Sequence, residues 1–238
     1  MSTNFDLNFM FIAMKESIKY TPVTLLLAFV PFGAGIVLGT FIALARLYNV
    51  KVLGRLLQIY VVVIKGIPVV LQILMAYYVV IQAFDGVAEK LHWALRSKDI
   101  HLIYIALLAL LFFGTASISE AMRGALTSVD KGQYEAAYSV GMTRSMTIRR
   151  IILPQALPVA VPALCSSLIG LVKGSSLVFM ISVTDLMNAA LIPANTNYKY
   201  LEAYVAAAIV YWVINIIIEK LFYILEKRFS VYRGERAL

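Results

Sequence analysis

In 238 residues the chain has one cysteine, two histidines and two tryptophans, and only 14% of its residues are charged. A lone Cys165 inside an apolar run excludes an internal disulfide and reads as a buried packing residue. His92 and His101 lie in a polar loop without cysteine partners, a poor donor set for a metal. No glycine-rich run ends in Lys-Ser or Lys-Thr, so a phosphate-cradling Walker A loop is missing, and nucleotide-driven work would have to come from a partner. Acidic residues are scarce, 13 against 21 Lys and Arg, giving a formal charge of +8. The basic residues flank apolar runs and form no patch interleaved with aromatics, so they read as membrane orientation and not as a nucleic-acid surface.

What is present is apolar, at 61% of the residues. Soluble domains are about a quarter charged, so this composition defines an all-α integral membrane protein. The length, residues 1–238, fits a single transmembrane domain with no room for a separate soluble one. Met1 to Tyr20 mixes Phe9, Met10 and Ile12 with Lys15, Glu16 and Lys19, which suits a short helix at the membrane surface and not a cleavable signal peptide. Thr21 to Ala45 has no charge and crosses the roughly 30 Å hydrocarbon core, with Gly35 and Gly39 forming a small-xxx-small pair. Arg46, Lys51 and Arg55 mark an inside loop. Span two, Leu56 to Phe84, is broken by Lys65, Gly66 and Pro68. Counting about 1.5 Å per residue from Arg55 puts Lys65 near mid-membrane, either on the wall of a path or as the partner of a helix terminus.

Asp85 to His101 balances its charges, as an outside loop can. Span three covers Leu102 to Met122 and ends with Glu120 and Arg123, an i,i+3 pair that neutralises itself. Span four starts at Pro154, carries Pro158 and Pro162, and should bend. The run to Thr184 is too long for one span, and Lys173-Gly174-Ser175-Ser176 interrupts it, so its latter part returns into the bundle or forms an extra helix. Asp185 to Glu202, with Pro193 and several asparagines, reads as an outside connection. Span five covers Ala203 to Leu225, and Glu226 to Leu238 is basic. The Lys and Arg asymmetry gives about five spans, amino end outside and carboxyl end inside.

The stretch Gln133 to Pro154, residues 133–154, differs from all of these: it is charged on one face and flanked by membrane-length apolar runs. Helical signals run from Tyr134 to Val140, Gly141 suits the left-handed conformation that closes a helix, and Thr143 or Ser145 can cap a second helix through Leu153. Pro154 suits the first turn of the following helix. A push on one end should reach the other.

The spacing Glu135-Ala136-Ala137, Gly141, Ile151, Leu153 and Pro154 resembles the EAA loop in membrane subunits of bacterial binding-protein-dependent ABC importers. Lys65-Gly66-Ile67-Pro68 through Gln72, Glu120 with Arg123-Gly124, Pro154-Gln155-Ala156 and Lys173 with Ser175-Ser176-Leu177 are similar to the polar amino-acid permeases. The resemblance implies the type I importer fold in a bacterial cytoplasmic (inner) membrane, with Glu135, Ala136, Ala137 and Gly141 in a coupling helix that docks on separate ABC ATPase subunits. It also implies a second permease subunit, identical or related, an extracytoplasmic amino-acid-binding protein, an amino-acid substrate and alternating access. No cofactor is expected in this chain; ATP and Mg belong to the ATPase partner.

Candidate path residues are Lys65, Gln72, Lys173, Ser175 and Asn188. Ser and Asn can equally cap helices, and the lysines can snorkel to membrane lipid. An ion-coupled secondary transporter would predict an inverted repeat and acidic groups at membrane depth, and neither is evident. A non-transporting scaffold would have no use for broken spans. Many permeases of the resembling group carry Lys-Asp-Thr-Ser-Leu where this chain has Gly174 after Lys173. With that acid missing and no carboxylate clearly at mid-membrane, the path has little to offset a cation. A neutral or zwitterionic substrate, such as cystine or glutamine, is expected over arginine or lysine.

Overall fold

Asp6 starts the first helix. Its carboxylate accepts the Phe9 N–H at 3.0 Å, and α1 then runs unbroken over Leu7–Leu47. The computed structural model describes residues 5–48, 50–94 and 96–230; Met1 to Asn4 and the end of the basic tail, 231–238, lie outside the described residues. The sequence separates a surface helix up to Tyr20 from a span that begins at Thr21, but the structure joins them. At 1.5 Å per residue, 41 residues reach about 60 Å, twice the hydrocarbon core. The physical reason is that Phe9, Met10, Ala13 and Ser17 are buried by the protein itself. The Asp6 carboxylate pairs with the Lys199 ammonium, and the Asp6 N–H donates to Glu202 Oε1 at 3.0 Å. The ammonium, helped by the Phe9 N–H, holds the Asp6 carboxyl below the ordinary carboxylate range.

Next come α2 (Lys51–Gly66), α3 (Val69–Lys90), α4 (Leu102–Thr127), α5 (Lys131–Ser139), α6 (Arg144–Thr147), α7 (Leu153–Ser175), α8 (Leu186–Asn197) and α9 (Tyr200–Ser230). Among the described residues five helices are long and apolar enough to cross a membrane: Leu7–Leu47, Val69–Lys90, Leu102–Thr127, Arg144–Ser175 and Tyr200–Phe229. The second span is therefore α3 alone, not Leu56 to Phe84. Pro68 forces the residue before it into extended backbone, and Ile67, at φ −101° and ψ 131°, ends α2 there. Lys65 is exposed in the last turn of α2, where a cation suits the negative end of the helix dipole.

Two further sequence expectations change. Asp185 to Glu202 is not simply a connection: Asp185 caps α8, whose Leu186, Ala189, Ala190 and Ala194 are buried. Pro193, read as a loop marker, is tolerated inside that helix. Glu120 does not pair with Arg123 alone. Arg46, its side chain only 6% exposed, reaches Glu120 Oε1 at 2.6 Å, while Arg123 holds Oε2 at 3.0 Å. Arg46 is thus a helix-to-helix tie and not only a loop charge.

The α1–α4 crossing forms the centre of the bundle. A Cβ on Gly39 would lie 2.9 Å from the Ser119 backbone nitrogen and 3.1 Å from the Thr115 carbonyl oxygen; one on Gly35 would meet Ile118 Cδ1 at 2.7 Å. The small-xxx-small pair therefore serves packing within this chain. Gly33, two residues before Gly35, faces open space. Gly39→Val should lower the thermal stability of the detergent-solubilised chain by several degrees, whereas Gly33→Val should leave it within about one degree. Equal effects of the two, in a thermal aggregation assay, would remove the close crossing from the account.

Candidate functional site

The segment from Asp130 to Leu153 is a helix, a glycine turn and the start of a long helix. Asp130 Oδ1 accepts the Gly132 N–H at 2.7 Å, so α5 begins at Lys131, ahead of the expected Tyr134. At its end the Gly141 N–H donates to the Tyr138 carbonyl at 3.0 Å and the Met142 N–H to the Ala137 carbonyl at 3.1 Å. This is the Schellman closure, and Gly141 has the φ of +79° it requires. Thr143 then caps α6, its Oγ1 accepting the Met146 N–H at 3.4 Å. The second helix does not stop at Leu153. It passes through a wider π turn over Ile148–Ile152 and continues as α7 to Ser175. Pro154 cannot donate to the carbonyl four residues back, and the π turn sits immediately before it.

Glu135 and Ala136 are exposed on α5, while Ala137 is 5% exposed and faces the protein. Two side-chain bonds fix this helix to the bundle. The Tyr134 hydroxyl donates to the Leu126 carbonyl of α4 at 3.2 Å. On the α7 side, Gln155 Nε2 donates to Gln133 Oε1 at 3.2 Å and to the Ile151 carbonyl at 3.0 Å. The Arg144 guanidinium lies 5.6 Å from the centre of the Tyr48 ring, tying the start of α6 to the end of α1.

A second constellation forms where two helices break. Gln72, 8% exposed in the first turn of α3, donates through Nε2 to the Ile64 carbonyl at 2.8 Å and the Ile67 carbonyl at 2.7 Å. It supplies the hydrogen bonds that the α2–α3 interruption leaves open. The other break follows α7. Ser175 is fully buried, with Oγ donating to the Val172 carbonyl at 2.8 Å; Ser176 does the same to Lys173, whose own side chain is exposed. A Cβ on Gly174 would lie 3.8 Å from Val69 Cγ2, so the first residue of α3 rests against the last turn of α7 and the two breaks are neighbours.

The chain then makes a 3₁₀ turn over Val178–Ile181, takes a left-handed step at Ser182 and enters α8 through Asp185. Asp185, which the sequence assigns to an outside connection, is fully buried within the bundle. Its oxygens are engaged: Oδ1 accepts the Asn188 N–H at 3.0 Å and Oδ2 the Tyr211 hydroxyl at 2.8 Å. Beside it the Leu186 N–H donates to Thr24 Oγ1 at 3.1 Å. Sequence reading missed Asp185, Thr24 and Tyr211. An Asp directly before the apolar run Leu186-Met187 is a helix-start signal that could have pointed to the first.

The geometry has counterparts among known proteins. The family described as the binding-protein-dependent transport system inner membrane component matches residues 35–231. The probable amino-acid permease protein YxeN of Bacillus subtilis is 37% identical over 89% of this chain and 90% of its own length. The L-cystine transport system permease protein TcyL of the same organism is 33% identical over 96% and 93%. A crystal structure of an amino acid ABC transporter with histidines superposes with a TM-score of 0.80 at 30% identity, over 95% of this chain and 100% of that one. The chain belongs to the family of binding-protein-dependent transport system inner membrane components. It is a permease of a polar amino-acid ABC transporter and not itself an enzyme, and such a system implies an ATPase and a binding protein.

The bonds of Gln72 generate a local expectation. Gln72→Leu should speed amide hydrogen exchange across residues 64–72 by about tenfold while leaving 102–127 unchanged. An unaltered exchange rate in the first segment would mean that Gln72 does not hold the break.

Proposed function

We propose that this chain is one of two permease subunits, identical or related, that enclose the path of an importer for a polar, neutral or zwitterionic amino acid such as cystine or glutamine. Its amino end faces outside and its carboxyl end inside, as the Lys and Arg of the loops near Arg46 and Arg144 require. In this reading the fold is of the type I importer class and residues 1–238 form one permease domain. The observation that carries the proposal is the geometry of α5: an exposed Glu135–Ala136 face, closed by Gly141 and hydrogen-bonded to both α4 and α7.

The separate ATPase subunits bind ATP and Mg, grip α5 through Glu135, Ala136 and Gly141, and close as a pair. Because Tyr134 and Gln133 link α5 to the inner ends of α4 and α7, displacement of α5 rotates those spans. The far end of α7 carries the break beside Val69, so the motion reaches the meeting point of the two interrupted helices. That meeting point is the proposed path, with Ser175 beside it, Lys65 and Lys173 at its exposed rims, and Asn188 further along in the first turn of α8. Gln72 acts there by holding the break. A binding protein outside delivers the substrate, and the bundle alternates between openings to either side.

Two observations support the substrate class. Gly174 places no acid at the path, and the Asp185 carboxylate is fully buried against Tyr211 and the α8 terminus, closed off from a dehydrated cation. The L-cystine permeases among the relatives are consistent with it.

The test is ATPase activity of the reconstituted full complex with its binding protein, stimulated in turn by cystine, glutamine, glutamate, histidine, arginine and lysine. Cystine or glutamine should stimulate. Glu135→Lys and Gly141→Asp should each abolish at least about 90% of the stimulation while the permease still inserts, since the first reverses a charge at the docking face and the second strains a left-handed residue. Stimulation by arginine or lysine alone contradicts the substrate assignment, and full stimulation in both variants contradicts the coupling assignment.

A further inference from the structure

A groove of about 730 Å³ opens where the end of α1 meets the start of the Arg144–Ser175 helix. Its walls are apolar, from Phe41 and Leu44 of α1, Leu53 of α2, and Ile148 and Leu153 of the opposite helix. Its rim is basic: Arg144 and Arg149 both line it, and no acidic residue does so among the described residues. Both arginines are exposed, and neither has a carboxylate partner within 4.0 Å among the described residues. A neighbouring recess shares Val50 with this groove and adds Lys51 and Arg55 to the same side. The Tyr48 ring beneath the Arg144 guanidinium steadies it without neutralising it.

We propose that this groove binds an anionic phospholipid, with the phosphate held by Arg144 and Arg149 and an acyl chain laid along Phe41, Leu44, Leu53, Ile148 and Leu153. The proposal rests on the inside placement of the Arg144 loop argued above, but its test does not depend on transport. Two guanidiniums lining one groove suit a phosphate that accepts through several oxygens. Apart from Leu53, the walls belong to two membrane spans, so an acyl chain can enter from the bilayer without crossing water. A free phosphate would leave those walls wet. Basic pockets between spans on the inner side attract anionic headgroups, each cation there being worth a several-fold gain in occupancy. The bound lipid would brace α1 against the start of α6, next to the turn at Gly141.

The experiment uses the full chain purified in neutral detergent and titrated, with native mass spectrometry as readout, against dioleoyl phosphatidylglycerol and dioleoyl phosphatidylethanolamine. The chain should prefer the anionic lipid by about tenfold. Arg144→Gln with Arg149→Gln should bring the preference to within about twofold, while Arg144→Lys with Arg149→Lys should keep most of it, because a phosphate also accepts from ammonium groups. Lys220→Gln, at an exposed site on α9, should change nothing. Equal binding of the two lipids, or a preference unchanged in the paired Gln variant, overturns the proposal. So does equal competition by water-soluble glycerophosphoglycerol, which would reduce the site to one for the headgroup anion alone.

Discussion

The contact of α1 with α4 is the constraint on which the bundle depends. Gly35 and Gly39 bring α1 so close to α4 that a methyl group would strike the Ile118 side chain at the first and the Ser119 backbone at the second, and the Arg46–Glu120 pair locks one end of the same crossing. Helices in lipid gain nothing from burying apolar surface against each other, so close packing and polar ties decide which pairs hold. Glu120 meets both demands by joining Arg46 of one helix to Arg123 of its own. Around this pair α1 collects α8 and α9, with Asp6, Lys199 and Glu202 fastening its far end.

From that crossing the chain leads to the parts proposed to move. The α4 helix leads through Asp130 into α5, and α5 returns through Gly141 into the helix that becomes α7. A rigid glycine closure, a capping threonine and the Gln133–Gln155 bond make α5 an extension of two spans instead of a free loop. At the opposite end of α7 the ladder stops at Ser175, against Val69 of the other interrupted helix. Backbone left open at depth inside a membrane protein is tolerated only where protein or a water-filled cavity satisfies it. Gln72 does so for one break, and the Asp185–Tyr211–Thr24 group surrounds the entry to α8 after the other.

Much of this was legible in the sequence because it is written locally. Gly141 seven residues from Tyr134, Pro68 after Gly66, and five long apolar runs each carry their meaning within a few residues. The parts that were not legible depend on distant partners. Met1 to Tyr20 looks like a surface helix because Lys15, Glu16 and Lys19 make it too polar to span, and only the fold shows that Phe9, Met10, Ala13 and Ser17 are covered by protein. Arg46 reads as an inside-loop charge until Glu120, on another helix, lies beside it. Asp185 falls among Pro193 and asparagines that favour loops, yet the burial of Leu186 and Ala190 outweighs those preferences. The helix counted from Arg55 to Lys65 does run unbroken, as α2, but the extended Ile67 separates it from α3, so the two do not make one span.

The central claim, that α5 is the surface through which an ATPase drives this permease, is tested most directly by a single cysteine. Ala136→Cys in a Cys165→Ser background, co-expressed with the ATPase subunit, should resist membrane-impermeant maleimide in intact cells and should form an ATP-sensitive disulfide or short crosslink to an engineered cysteine on the ATPase. Labelling from outside, or the absence of any crosslink across a scan of the ATPase surface, would contradict the account.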